Sequence, residues 1–267
     1  MLLSRSHDKL VQVSASLAAT YPQCQFEHFA WDVGADPNSA ASRERMQKLL
    51  TVLNGRDVGL LVNNVGVTES VFGWFGDQAE MWPEGSEGLC AEMIDAQRTV
   101  QVNCTFPTRI THAILPLLLN RASASNSIAL RSGIVNLSSI LGILPSPFSP
   151  IYGASKAFNR VFSRSLSAEY YQKGVDVLCV SPGMVASRLT GFTRGNMVCS
   201  EARPTATIAL NALGAAVEVL PHPIHGITML PTMAIGLLPA WLQTLFYAII
   251  MRLLPKPPGI RVTSQWL

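Results

Sequence analysis

A chain of 267 residues with 48% hydrophobic content is long enough to bury one sizeable core, and open α/β domains of this length commonly stay undivided. A net charge of +3 decides little by itself; no Lys/Arg run points to nucleic acid, and the modestly basic balance is compatible with phosphate-bearing small molecules or an anionic membrane face. The five cysteines, Cys24, Cys90, Cys104, Cys179 and Cys199, follow no C-x-x-C or metal-ligand spacing, which points to reduced thiols facing the cytosol and to no metal site.

Met1 opens onto a short strand-like segment that reaches Arg5. A helix with Leu10, Val13 and Leu17 on one face follows, then a strand over residues 25–31 that ends at Asp32 and Val33. Residues 42–53 repeat apolar side chains at Met46, Leu49, Leu50 and Leu53, the stripe of a helix packed on a sheet. Asp57-Val58-Gly59-Leu60-Leu61-Val62 reads as a short buried strand. It runs straight into Asn63-Asn64-Val65-Gly66, a polar turn cluster of the kind that lets backbone approach a ligand. Residues 72–88 are irregular, with Gly, Pro and two tryptophans, and fit either a substrate-side loop or a surface insertion. A long helical stretch then carries Asn103, and the Ser/Ala/Asn-rich patch at 123–127 predicts an exposed loop.

The apolar run Ile134-Val135-Asn136-Leu137 predicts a buried strand ending in Ser138-Ser139, and strand ends are where open α/β sheets form their sites. Downstream, Tyr152-Gly153-Ala154-Ser155-Lys156 is a Y-x-x-x-K pair. On a helix, residues four apart share a face, so the ammonium stands beside the phenol. An isolated tyrosine titrates near about 10, and an adjacent positive charge favours its ionised form. Such a phenol can exchange a proton with an alcohol or ketone, with Ser139 as hydroxyl donor. A Tyr/Lys pair alone is weak, since many surface helices carry one; the strand and serine beside it favour carbonyl chemistry. A mid-helix asparagine is usually just a tolerated polar residue. Here Asn103 is expected to hold, through its side-chain or backbone carbonyl, a water linking the lysine to solvent.

A further strand, Val175-Asp176-Val177-Leu178-Cys179-Val180, feeds Ser181-Pro182-Gly183-Met184-Val185-Ala186-Ser187. Together these residues resemble the short-chain dehydrogenase/reductase family, carried by Asn63-Asn64-Val65-Gly66 (usually Ala at Val65), Asn103, Ser139, Tyr152, Lys156 and the segment 181–187. Val135-Asn136-Leu137-Ser138-Ser139 and Tyr152-Gly153-Ala154-Ser155-Lys156-Ala157-Phe158 are similar to the membrane-associated 17β-hydroxysteroid dehydrogenases and very-long-chain 3-ketoacyl-CoA reductases.

The resemblance implies that Tyr152 is the acid/base, that Lys156 lowers its pKa and binds the nicotinamide ribose, that Ser139 hydrogen-bonds the substrate oxygen, and that Asn103 completes the tetrad. It further implies cofactor contacts from Asn63, Asn64, Gly66, Pro182 and Gly183, with Val185 and Ser187 near the carboxamide. Arg5 falls where relatives that prefer NADP place a cation for the 2′-phosphate, with Asp32 and Val33 at the adenine. The expected fold is an α/β doubly wound, Rossmann-like parallel sheet. No T-G-x-x-x-G-x-G precedes Tyr152, so the sequence is expected to lack the first strand and glycine-rich turn, and to bind NADP(H) weakly. The expected division is a truncated catalytic domain over 1–218 and an apolar extension over 219–267.

Residues 188–204, with Leu189, Phe192, Met197 and Val198, are expected to form a lid over a lipophilic substrate, a 17-oxosteroid or a long-chain 3-ketoacyl-CoA. Between Val219 and Met251 no Asp, Glu, Lys or Arg occurs, while Pro231, Gly236 and Pro239 interrupt the apolar run. A helix lying in the membrane interface, anchored by Trp241 and Tyr247, is expected ahead of a spanning helix and of a buried homodimer helix. His222-Pro223-Ile224-His225 reads as a turn. The resemblance places the enzyme on the cytosolic side of the endoplasmic reticulum membrane. Two alternatives are a silent paralogue acting as an assembly partner there, and a dehydrogenase of another lipophilic alcohol such as a retinoid.

Overall fold

The strands pair in parallel throughout the computed structural model, which describes residues 1–68, 71–72, 91–124, 130–196, 199–223, 238–239, 241–243, 245–246, 249 and 261–262. Parallel pairing requires crossovers, and in the main sheet helices supply them. The chain forms two compact units, Met1–Arg56 and Asp57–Leu267.

In the first unit, β1 (Leu2–Ser4), α1 (His7–Thr20), β2 (His28–Ala30) and α2 (Ala40–Leu53) make a βαβα run with β1 beside β2. Ser6 caps α1 by accepting from the Lys9 N–H, and Ser39 caps α2 through the Ser42 N–H. The inward stripe of α1 is Leu10 and Ser14, with Leu17 half-buried; the expected Val13 is 48% exposed. A small hydroxyl sits where helical spacing puts the core face, which apolar counting alone cannot see. The strand expected over 25–31 narrows to three residues, while Leu49 and Leu53 of α2 are buried as its spacing requires.

The second unit contains β3 (Leu60–Asn63), β4 (Val71–Phe72), α3 (Ala91–Val100), α4 (Phe106–Ala124), β5 (Ser132–Leu137), α5 (Pro150–Tyr170), β6 (Val175–Val180), β7 (Met184–Val185), β8 (Cys199–Ser200), α6 (Ala202–Ala212), β9 (Glu218–Val219) and β10 (Arg261–Val262). Its main sheet runs β3-β5-β6-β9, with β10-β4 and β7-β8 as separate pairs. The six residues of β6 are all buried, as in a strand covered on both faces, and all but the ion-paired Asp176 are apolar. The expected burial of β3 does not hold: Leu60 and Val62 are 44% and 47% exposed, because β3 ends the four-strand order with β5 as its one partner there. Val135, Leu178, Val180 and Ala209 form a core cluster against which Leu137, Ala212, Leu213 and Val219 pack.

Ser123 and Ala124 fall inside α4, and residues 125–127 of the expected loop lie outside the described residues, as do residues 73–88 and most of the apolar extension. Among the described residues no helix is long and apolar enough to cross a membrane.

Candidate active site

Three loops leave the main sheet from one edge. The parallel register sets Asn63 against Asn136 and Leu137 against Val180, so Asn64-Val65-Gly66, Ser138-Ser139 and Ser181-Pro182-Gly183 all start at the C-terminal ends of neighbouring strands. Two backbone bonds carry the last pairing onward: Ser138 N–H donates to Val180 O at 2.8 Å, and Ile140 N–H to Pro182 O at 3.0 Å. Ser139 and the Pro-Gly turn are thereby laced together.

Helix α5 brings the phenol and amine to that edge. Pro150 starts the helix, where a missing N–H costs nothing, and Tyr152 and Lys156 follow one turn apart. The Lys156 Nζ lies 5.6 Å from the Tyr152 ring centroid and donates to the Leu137 carbonyl at 2.9 Å. That carbonyl ends β5, so the lysine reaches under the helix to the strand that delivers Ser139. Ser138 Oγ in turn donates to the Lys156 carbonyl at 2.6 Å. Ser139 Oγ accepts the Leu141 N–H at 3.2 Å and so caps the 3₁₀ turn Ile140–Gly142, which presses on α5. Gly142 permits that contact: a Cβ there would stand 2.6 Å from the Lys156 carbonyl carbon.

Asn103 sits in a π-helical turn, Gln101–Thr105, between α3 and α4, and is fully buried. A π turn inside an α-helix commonly marks a functional position. Its Nδ2 donates to Val67 O at 2.8 Å and Ser155 Oγ at 2.9 Å, and its Oδ1 accepts the Val67 N–H at 2.9 Å. The Ser155 hydroxyl donates to the Tyr152 carbonyl at 2.7 Å. The asparagine side chain therefore pins the loop after β3 to the tyrosine helix.

Gly66 lies in that same loop, where a Cβ would come within 3.3 Å of the Lys156 Nζ and 3.6 Å of Asn103 Oδ1. The buried Asn63 side chain is committed to Thr111 and Asn136, and Asn136 passes the chain to Ser163. Asn64 is exposed, while Pro182, Gly183 and Val185 are half-buried. Ser187 is exposed and hydrogen-bonds within its own turn with Thr190. In the first unit, Trp31 N–H donates to Ser4 O, so Arg5 and Asp32 both follow the C-terminal ends of paired strands. Asp32 Oδ1 there accepts the Gly34 N–H and Val33 is buried.

The electrostatics follow from burial. Lys156 is 4% exposed and its pKa is lowered to about 8 by desolvation, offset in part by Cys104 and Cys179. Cys104 is pushed up to about 11 by burial, with Lys156 pulling the other way. Sequence reasoning missed Leu137 O, Ser138, Gly142 and Ser155. Ser138 adjoins Ser139 and Ser155 lies within the Y-x-x-x-K pair, but nothing in a one-dimensional pattern marks Gly142 as the point of helix contact. Among the described residues, no group of three His, Cys, Asp or Glu side chains is arranged to hold a metal ion.

Comparison with known proteins agrees with this architecture. The sequence profile described as short chain dehydrogenase matches residues 1–197, and the chain belongs to that family. It is similar to the very-long-chain 3-oxoacyl-CoA reductase of Mus musculus, 29% identical over 231 residues, covering 85% of this chain and 64% of the relative. It is also 29% identical over 261 residues to hydroxysteroid dehydrogenase-like protein 1 of Gallus gallus, covering 96% of this chain and 69% of that one. The chain thus spans about two thirds of the length of these curated relatives. Among solved structures, a short-chain dehydrogenase from Sphingobium yanoikuyae in complex with NADPH superposes with a TM-score of 0.62 at 21% identity, covering 90% of this chain and 86% of that one.

Proposed function

We propose that this chain is an NADP(H)-dependent oxidoreductase that reduces a ketone, or oxidises the matching alcohol, on a lipophilic substrate: a long-chain 3-oxoacyl-CoA or a 17-oxosteroid. The observation that carries it is the buried ammonium of Lys156 held beside the Tyr152 ring by the strand that delivers Ser139.

The residues fit a nicotinamide cofactor. An ammonium has three donors, and among the described residues Lys156 spends one on protein, at Leu137 O. The missing Cβ of Gly66 leaves open the space beside that ammonium. Lys156 would hold the nicotinamide ribose there, with Gly66, Asn64, Pro182, Gly183, Val185 and Ser187 along the same strand edge. In the first unit, Arg5 is suited to a 2′-phosphate, and Asp32 and Val33 to the adenosine. The fold neighbour carrying NADPH supports that cofactor. When bound, the cofactor supplies or accepts hydride.

The chain's own residues handle the proton. Tyr152 donates its phenolic proton to the carbonyl oxygen, Ser139 hydrogen-bonds that oxygen, and Lys156 stabilises the phenolate left behind. Both N–H donors of the Asn103 amide and its Oδ1 are engaged, so its backbone carbonyl would be the group that holds a water linking Lys156 to solvent; Lys156 would pass a proton to the phenolate and take one back from that water. The acyl thioester and the steroid are both supported by the similar proteins. Trp241, Leu245, Phe246 and Ile249 are exposed apolar residues at the sequence spacing i, i+4, i+5 and i+8, a pattern suited to a membrane interface. A cytosol-facing endoplasmic reticulum location accords with that pattern and that chemistry.

The test is NADPH oxidation by the full chain against a long-chain 3-oxoacyl-CoA, a 17-oxosteroid and a retinal, with product identified by mass spectrometry. Tyr152→Phe should lower turnover on the preferred substrate by about a thousandfold while NADPH binding, read by fluorescence, persists. Unaltered turnover in that variant would overturn the assignment. Carbonate extraction with protease protection tests the membrane interface, and release by salt alone would exclude it.

A further inference from the structure

The structure assigns Glu218 a positioning role: its carboxylate clamps the tyrosine helix to the Pro182-Gly183 turn and so sets the distance between the acid/base and the cofactor loop. The inference rests on the function proposed above. Glu218 lies in β9, paired with Cys179 of β6, and is 17% exposed at its side chain. Its Oε1 accepts from Arg160 Nε at 2.6 Å and from Ser181 Oγ at 3.1 Å, while its Oε2 faces Arg164 Nη1 at 3.5 Å.

The two donors belong to the two halves of the site. Arg160 stands one turn after Lys156 and two after Tyr152 on α5, so a pull on its guanidinium is a pull on the catalytic helix. Ser181 is fully buried and immediately precedes Pro182, whose carbonyl receives the Ile140 N–H beside Ser139. One carboxylate oxygen therefore joins the helix that carries the phenol to the turn that carries the Pro-Gly pair. The bond is charge-assisted on the arginine side, and Glu218 raises the Arg160 pKa above its ordinary value through that hydrogen bond. Among the described residues the other partner of Ser181 Oγ is the Cys179 thiol at 3.6 Å, a weaker acceptor than the carboxylate.

A second ion pair gives the contrast. Asp176 binds Arg131 at the other end of the same strands, remote in register from Pro182 and from Ser139. Loss of that pair should weaken the sheet without moving the site. Loss of the Glu218 clamp should let α5 and the 181–183 turn drift relative to each other, and sub-ångström drift at a reacting centre costs rate.

Full-chain Glu218→Gln, Ser181→Ala, their double variant and Asp176→Asn would be compared by site-resolved hydrogen exchange and by steady-state kinetics with NADPH. In Glu218→Gln the Ile140 and Ser181 amides should exchange at least about tenfold faster, kcat should fall about tenfold and KM for NADPH should rise several-fold. KM for the carbonyl substrate should stay put. The double variant should be no worse than Glu218→Gln alone, since the two groups act through one bond. Asp176→Asn should lower Tm and leave kcat and KM unchanged. Glu218→Gln behaving like Asp176→Asn, or leaving the Ile140 and Ser181 amides as protected as in wild type, would overturn the proposal. A wild-type chain that oxidises NADPH with no carbonyl substrate would instead overturn the proposed function, and the exchange measurement would still decide the clamp.

Discussion

Lys156 Nζ donates to the carbonyl oxygen of Leu137 across 2.9 Å, tying the amine of the Y-x-x-x-K pair to the last residue of the strand that presents Ser139. Helix spacing sets the lysine beside the tyrosine, but it is this bond that holds both beside the serine. It also buries the ammonium, and burial has a measurable consequence.

Desolvation lowers the Lys156 pKa to about 8 from an ordinary 10.5, so between those pH values the unfolded chain keeps a proton that the folded chain has lost. The contribution of this group to stability is therefore flat below about pH 8 and rises as pH climbs towards 10.5, by about 3 kcal/mol in all. Lys156→Met removes the buried charge. Its Tm at neutral pH should equal or exceed that of wild type, and the difference in urea stability between the two should shift towards wild type as pH rises. Turnover should fall about a thousandfold. A variant much less stable than wild type at neutral pH would show that the ammonium is not the burdened group.

Gly142→Ala tests how the Ser139 turn docks. The added methyl would sit 2.6 Å from one backbone atom of Lys156 and 2.8 Å from the next, and backbone inside a helix has little room to yield. The 3₁₀ turn must lift away from α5, at a cost of about 1–3 kcal/mol. Ser139 moves with it, since its hydroxyl caps that turn. Chemical denaturation and turnover should both suffer, and a variant with wild-type values for both would refute the close approach.

The elements that frame this site are legible in the sequence: the strand into Ser139, the helix with Tyr152 and Lys156, and the strand into Pro182-Gly183 all stand where apolar runs and helical spacing place them. Those signals are local, and the parallel register turns three local strand ends into one edge. What could not be read is what depends on contacts distant in sequence. Glu218 meets Arg160 and Ser181 only because β9 pairs with β6, and Gly142 matters only because its turn lands on Lys156. Leu60 and Val62 misled for the same reason: the run is apolar, but its burial depends on the place of β3 in the strand order. The π turn at Asn103 left no trace in residue spacing either.

Gly66→Ala should behave differently from Gly142→Ala. Here the nearest atom to the added methyl is the Lys156 Nζ at 3.3 Å, the end of a side chain that can retract by a few tenths of an ångström. Fold stability should change by less than about 1 kcal/mol. The methyl would nonetheless occupy the space beside the ammonium. NADPH affinity, measured by fluorescence titration, should drop about tenfold or more, and undiminished affinity would place the cofactor elsewhere.

The Arg131–Asp176 pair supplies a stability test away from the chemistry. Arg131 Nε and Nη2 each reach an Asp176 oxygen at 2.8 Å, and Nη2 also donates to Tyr171 O at 2.7 Å. The guanidinium further lies 4.6 Å from the Tyr171 ring centroid, joining the starts of β5 and β6 to the end of α5. Asp176 is mostly buried and Arg131 about one-third exposed at the side chain, so solvent screens part of the attraction. Asp176→Asn should then cost about 2 kcal/mol, below the range for a fully buried pair. Because a fork of parallel bonds is lost, Asp176→Glu should recover little of it. Turnover per folded molecule should stay at the wild-type level in both variants, since the pair stands at the strand ends opposite Ser139 and Pro182. A fall in kcat without a fall in Tm would mean that this end of the sheet communicates with the site.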